Sequence, residues 1–412
     1  MIEPISPIKR IRRISPLRPI GLMGLIVLAG LIGSCSKEHA EMEEPTPFVG
    51  DAISFNGNLQ ESEDVVAGTR ADLETEGVTT FQVWAFKNMG YNTSTSEFTD
   101  LQCVIPSYAV NWQAGSANTT TSNSSGWEYV DGADQTIKYW DWDAKAYRFF
   151  GYAPAKAVDV TVEFYKPGTN AYETYEVNGV PVANWANESW VNYSKCRITV
   201  DADASTTETQ TATPYLSRLW FSDGNEMPSK FGKAVTLEFF KPFAQVRFMF
   251  KQSNPDEPVM IELPRFFPSN SNHQIVLRGT VKFTYSLTGT ETKEAWESTE
   301  NPTYSLTAFT QEWYTLTAEE EAAATEQVKA NKEKWYTVLP IRDQGAYTLT
   351  VRVNGEERTC YVPGEYMNWL PGYSYTYIFK VNEDGGIEID AINVAFTEWQ
   401  DNKEREKKVY NW

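Results

Sequence analysis

The chain has 412 residues, with 36 Lys and Arg against 55 Asp and Glu, a formal net charge of −19. That acidity repels phosphate backbones and anionic lipid headgroups, which excludes nucleic acid as a partner and charge-driven docking on a membrane. With 41% hydrophobic and 14% aromatic residues the chain can fill a sizeable core, and at roughly 100–200 residues per domain its length suits two domains.

The first element is the apolar run 20–32, with small residues mixed in. Lys9, Arg10, Arg12, Arg13 and Arg18 precede it, and Gly33-Ser34-Cys35 ends it. A basic segment, a short apolar segment and small residues before a cleavage point are the parts of a secretory signal. A membrane-spanning helix needs about 20 apolar residues, so this run is too short to be one. Apolar, small, small, Cys is similar to the lipobox of bacterial lipoproteins. That similarity implies a signal peptide over 1–34, and acylation of the Cys35 thiol with chains such as palmitate. Cys35 then becomes the first mature residue, and two or three acyl chains anchor stably where one is marginal. The plainer reading is an ordinary secretory signal with a cysteine beside it. Removing 1–34, which carries five positive charges and Glu3, leaves a mature chain near −23.

Residues 35–50 read as an acidic tether, with Glu38, Glu41, Glu43 and Glu44 followed by Pro45 and Pro47. Acidic residues behind a lipidated cysteine also resemble the surface-export signals of some Gram-negative lipoproteins.

From residue 51 the chain alternates apolar and polar residues with period two, which predicts strands. Ile53 and Phe55 alternate with Ser54 and Asn56. The run 81–86 is apolar on both faces and suits a central strand. Strands are predicted at 147–152 and 160–165, stopped by Pro154 and by Pro167-Gly168. Segments 113–126 and 201–214 read as Ser/Thr-rich loops. A second block begins near 233, with strands at 234–240 and 243–250 broken at Lys241-Pro242. Further strands are predicted at 275–285, 336–339, 346–353, 358–362, 373–381 and 387–396. Asn354-Gly355 predicts a type I′ hairpin turn, because both residues tolerate positive φ. One helix is predicted at 318–334, where Thr317 and Glu320 form a capping box. The pattern predicts an all-β chain of two sandwiches over 51–225 and 230–412, the helix being an insertion in the second.

Residues able to do chemistry are few. Of two histidines, His39 lies in the tether and His273 reads as a loop residue. One body histidine and the scattered Cys103, Cys196 and Cys360 cannot build a zinc site, and no disulfide framework is evident, although one pair remains open. No nucleophile elbow or phosphate-binding glycine loop occurs. These observations predict no enzyme, no cofactor and no metal. Asp201-Ala202-Asp203 reads as a solvated loop, since it lacks the spacing of a calcium loop. In Tyr139-Trp140-Asp141-Trp142-Asp143 the indoles read first as core, and second as a platform for glycans.

The ordered motifs carry a resemblance. After the lipobox come Ile53-Ser54-Phe55, Thr69-Arg70-Ala71, Phe81-Gln82-Val83-Trp84-Ala85-Phe86, Tyr139-Trp140-Asp141-Trp142 and Phe149-Phe150-Gly151-Tyr152-Ala153-Pro154. Val235-Thr236-Leu237-Glu238-Phe239, Phe243-Ala244-Gln245-Val246-Arg247-Phe248 and Trp369-Leu370-Pro371-Gly372-Tyr373-Ser374-Tyr375-Thr376-Tyr377 follow. Together they resemble the fimbrillin family, lipoprotein precursors of type V pili. The resemblance implies two tandem transthyretin-like β-sandwich domains and a non-enzymatic fimbrium subunit, stalk or tip. It implies a lipid-anchored, surface-exposed precursor in the cell outer membrane, joined to the fimbrium after processing by an Arg-specific protease. Carried over, the cut falls between Arg70 and Ala71, and the departing strand includes Ile53 and Phe55. Other fimbrial subunits are the implied partners, through donor-strand exchange. Ile392, Val394 and Phe396 are the candidate donor, or else the closing strand of their own sheet. Two alternatives remain: an outer-membrane fimbrial anchor that keeps its lipid, and a surface glycan-binding lipoprotein using Trp140 and Trp142.

Overall fold

The computed structural model describes residues 51–59, 77–113, 121–123, 126–130, 134–182, 189–203, 214–252, 259–269, 275–290, 295–305, 309–310, 314–316, 336–340, 345–396 and 408–409. Cys35, Arg70, Ala71, His273 and the predicted helix at 318–334 lie outside them. Most of the described residues are strand, numbered β1 to β24 in chain order, with one short helix α1 (Met227–Lys230) and two 3-10 turns at Trp190–Asn192 and Gly364–Tyr366. The chain is all-β, as its alternating pattern predicts.

Four sheets form two facing pairs. The first sheet runs β1 (Phe55–Leu59), β12 (Val235–Phe240), β10 (Tyr215–Ser217), β5 (Ala146–Ala153), β2 (Thr80–Asn92), β3 (Glu97–Trp112) and β4 (Trp127–Glu128). β11 (Trp220–Asp223) continues the edge begun by β10 along β5. The second sheet runs β16 (Ala295–Ser305), β15 (Ile275–Ser286), β9 (Lys195–Asp203), β6 (Val160–Lys166), β7 (Ala171–Val177) and β8 (Val180–Pro181). Aromatic rings close the space between the two: Phe150 stacks on Tyr285 at 4.6 Å, and Trp84 meets Phe164 edge-on at 5.1 Å.

The third sheet runs β19 (Tyr336–Val338), β13 (Ala244–Gln252), β22 (Tyr373–Val381), β23 (Ile387–Phe396) and β24 (Lys408–Val409). The fourth runs β17 (Phe309–Thr310), β14 (Val259–Pro268), β20 (Tyr347–Val353) and β21 (Glu356–Val362), with β18 (Tyr314–Leu316) also on β14. Phe248 and Phe266 join these two sheets at 4.7 Å, beside Tyr347 and Tyr377. Asn354 and Gly355 turn β20 into β21 with φ of 50° and 84°, the positive values that a type I′ turn needs.

The centre of the first sheet is buried on both faces. Every residue of β5 is buried. Phe81, Val83 and Ala85 on β2, with Tyr147 and Phe149 on β5, enter a core on one face. Trp84, Phe86, Phe150 and Tyr152 enter the core shared with the second sheet. A strand apolar on both sides requires this double cover, so 81–86 sits centrally as its pattern predicts.

Strands do not sort between the sheets by sequence order. β12 lies beside β1 and β10, and the β15–β16 hairpin completes the second sheet through a nine-position pairing with β9. A boundary at 225–230 therefore does not separate the hydrogen-bonded sheets. The chain passes from the first sheet to the third at Lys241-Pro242-Phe243, where the lack of a proline N–H interrupts the ladder. The segment 201–203, expected as loop, is the end of β9, with Asp201 opposite Thr280.

Candidate functional site: a buried first strand

The described part of the chain starts with 51–59, and its first large apolar residues are fully enclosed. Ile53 and Phe55 are each 0% exposed. Alternation sends Ile53, Phe55 and Gly57 inward, while Asn56 and Asn58 are partly exposed. Phe55 occupies a pocket of rings: Phe81 at 6.1 Å, Tyr129 at 5.6 Å and Phe149 at 5.9 Å, all edge to face. Gly57 carries no side chain into the core, so among the strand's described side chains Ile53 and Phe55 provide the apolar grip.

The backbone is held on both sides. β1 pairs in parallel with β12, from Phe55↔Val235 to Leu59↔Phe239, and Val235 N donates to Ser54 O at 2.8 Å. On the other side Ile53 N donates to Lys138 O at 2.8 Å, and Trp140 N donates to Asp51 O at 3.0 Å, around an Ala52–Tyr139 bridge. The Tyr129 hydroxyl fastens this junction. It donates to Ile53 O at 3.0 Å and accepts from Lys138 N at 2.9 Å. Burial, more than any neighbouring charge, pushes the Tyr129 phenol well above its ordinary range, so it stays a neutral donor.

This hold is tertiary. β1 is attached by parallel pairing to a strand about 180 residues away and by contacts to 129–140, and the sequence leading from it, 60–76, lies outside the described residues. The sequence marks 234–240 as a strand but nothing in it marks that strand, or 129–140, as the partner of β1.

The remaining predicted residues are dispersed. Ile392 is buried on β23, which also carries Val394 and Phe396. β23 pairs with β22 at nine positions, from Tyr373↔Phe396 to Val381↔Ile387, and β24 adds to its outer side at Ile392↔Val409. Trp140 is core, 3% exposed, whereas Trp142 is 42% exposed, so the two indoles do not form one platform. Cys103, Cys196 and Cys360 are free thiols. Burial raises the pKa of all three thiols, that of Cys360 to about 11. Among the described residues no group of three His, Cys, Asp or Glu is placed to hold a metal ion.

A second buried polar cluster ties the first two sheets together. Glu176 on β7 is 0% exposed. Tyr152 donates to its Oε1 at 2.5 Å and Ser107 donates to its Oε2. Gln82 Nε2 in turn donates to Ser107 Oγ at 2.8 Å and to Ser107 O at 2.6 Å.

No known protein family matches the sequence, and no curated protein matches it. Among solved structures, a candidate cell adhesion protein from Bacteroides ovatus is 12% identical with a TM-score of 0.37, covering 84% of this chain and 98% of its own. One from Bacteroides eggerthii is 11% identical with a TM-score of 0.33, covering 84% and 96%. The fimbrial anchor protein Mfa2 from Porphyromonas gingivalis is 9% identical with a TM-score of 0.23, covering 83% and 96%. Superpositions this loose carry no weight for function.

Proposed function

We propose that the protein is a structural subunit, stalk or tip, of a cell-surface fimbrium. It is exported as a lipoprotein through Cys35, cut after Arg70 by an Arg-specific protease, and joined to other subunits by exchange of its first strand. The single observation that carries the reading is the full burial of Ile53 and Phe55 on a strand attached by tertiary contacts. Cutting behind such a strand leaves it held only non-covalently. Its loss exposes the edge of β12 and the pockets of Ile53 and Phe55. An extended segment from another copy restores the ladder while alternate side chains refill the pockets. Burial of each large apolar side chain contributes roughly 1.5–3 kcal/mol.

The donor is the less determined partner. The nine paired positions of β23 support Ile392, Val394 and Phe396 as a fixed part of their own sheet. That favours a donor from elsewhere on the neighbouring subunit.

The test is incubation of the purified precursor with an Arg-specific protease, followed by electron microscopy and N-terminal sequencing. Filaments whose subunits begin at Ala71 are expected. Monomers that persist after a complete cut at Arg70 would count against the proposal. Sequencing protein taken from cells distinguishes a chain beginning at acylated Cys35, as an anchor keeps it, from one beginning at Ala71.

A further inference from the structure

Beside the first strand, the surface formed by 140–143, β11 and α1 carries features that strand exchange does not use. Trp142 is 42% exposed, and its ring rests on Phe231 at 5.3 Å. Phe231 stacks on buried Trp140 at 4.4 Å, with planes 23° apart. Trp220, partly exposed, meets Trp140 at 6.0 Å. The exposed indole is therefore backed by a fixed layer of rings. A large aromatic held in water by such a layer spends little rotamer freedom on binding.

Polar groups edge this surface. Lys230 Nζ lies 5.4 Å over the Trp220 ring, bonded to Glu226 Oε2 at 2.6 Å and to Phe221 O at 2.9 Å. On the other flank Lys87 Nζ bonds Asp141 Oδ2 at 2.5 Å, and Asp143 N donates to Asp141 Oδ1 at 3.0 Å. Burial pushes the Asp141 carboxyl up, but the Lys87 and Asp143 hydrogen bonds outweigh it, so the group ionises below its usual range. Both lysines are already paired with carboxylates, and Asp143 is exposed. The patch thus offers carboxylate acceptor oxygens beside a flat apolar face, with both lysines already neutralised.

We propose that Trp142 is the floor of a carbohydrate site for a neutral hexopyranoside, with its chain neighbours Asp141 and Asp143 at its rim. A pyranose matches on both counts. Its C–H face is apolar and packs on an indole, and its hydroxyls donate to carboxylates at the edge. The glycan platform therefore belongs to Trp142 alone, because Trp140 is consumed by the core.

The test is saturation-transfer NMR on the intact protein with methyl β-D-galactopyranoside and methyl β-D-glucopyranoside as probes. Transfer to the ring C–H protons of at least one sugar is expected. Trp142→Ala, with unchanged thermal unfolding, should weaken that binding at least about tenfold. Trp142→Phe should keep intermediate binding, and Tyr361→Ala, an exposed ring on β21, should leave it unchanged. Absence of transfer with both sugars, or equal binding by Trp142→Ala and the parent, overturns the proposal. The outcome is independent of filament formation, since neither Cys35 nor the Arg70 cut is involved.

Discussion

Phe55 and Phe149 meet edge to face, with ring centroids 5.9 Å apart and planes at 73°, so the first strand is packed directly onto a central strand of its sheet. Truncating Phe55 removes a ring from an enclosed pocket. Phe55→Ala should cost about 3–5 kcal/mol in urea unfolding, from lost transfer energy and the cavity left behind. Asn58→Ala, at a partly exposed position on the same strand, should stay within about 0.5 kcal/mol of the parent. Equal effects for the two would mean that β1 adds nothing to the folded core, and strand exchange would lose its physical basis.

The junction between 51–53 and 138–140 turns on Tyr129, whose hydroxyl bonds Ile53 O and Lys138 N. Tyr129→Phe keeps the ring against Phe55 and deletes both bonds. The expected cost is about 1–3 kcal/mol, because one buried and one partly buried backbone group lose a partner. The loss should be local. Hydrogen exchange should accelerate over 51–55 and 138–140, while β20 in the other pair of sheets keeps its protection. Uniform acceleration across both pairs would place Tyr129 in global stability rather than in retention of the first strand.

How legible this was differed by element. Strands with clean alternation or two-sided apolar runs, such as β2, β5 and β22, were visible because the period-two pattern is strong there. The stretch 97–112 gave no such signal. It contains Pro106, polar residues and positive φ at Asp100 and Ser107, and its pairing with β2 slips near Val83 and Ala85, where a proline is tolerated. Asp201-Ala202-Asp203 read as loop because it heads the Ser/Thr-rich stretch 201–214, yet β15 pairs with it. The inward-facing role of Ile53 and Phe55 followed from alternation. Their parallel partner β12 and the Tyr129 bonds did not, since pairing across about 180 residues leaves no local trace. Trp140 and Trp142 looked equivalent, but a turn at 142–143 breaks the alternation and brings Trp142 to the surface.

Gly151 on β5 is needed for close approach. A Cβ there would lie 1.9 Å from the Gln82 backbone oxygen on β2, in the middle of the sheet. Strand backbone cannot yield as a flexible side chain does. Gly151→Ala should therefore destabilise by at least the 1–3 kcal/mol that is typical of overpacking, roughly. Gly168→Ala, in the turn after β6 with nothing within 4 Å, should be near neutral. Thermal unfolding of the pair gives the comparison. An unshifted midpoint for Gly151→Ala would mean that the two strands can part without loss.

Glu176 makes the stability of the first two sheets depend on pH. Burial raises its pKa above the usual carboxylate value of 4.5, and the hydrogen bonds from Ser107 and Tyr152 only partly offset this. The folded chain therefore holds the Glu176 proton more tightly than the unfolded chain. Below 4.5 both states are protonated and the group carries no penalty. As pH rises through the folded value, the unfolded chain binds fewer protons and stability falls. Glu176→Gln keeps an acceptor for Tyr152 but cannot ionise. The variant should gain on the parent as pH rises above 4.5, and the difference should shrink toward zero below it. Urea midpoints at several pH values measure this directly. A parent that gains stability over that window relative to Glu176→Gln would show that the hydrogen bonds from Ser107 and Tyr152 outweigh burial, and that Glu176 is held as an ion.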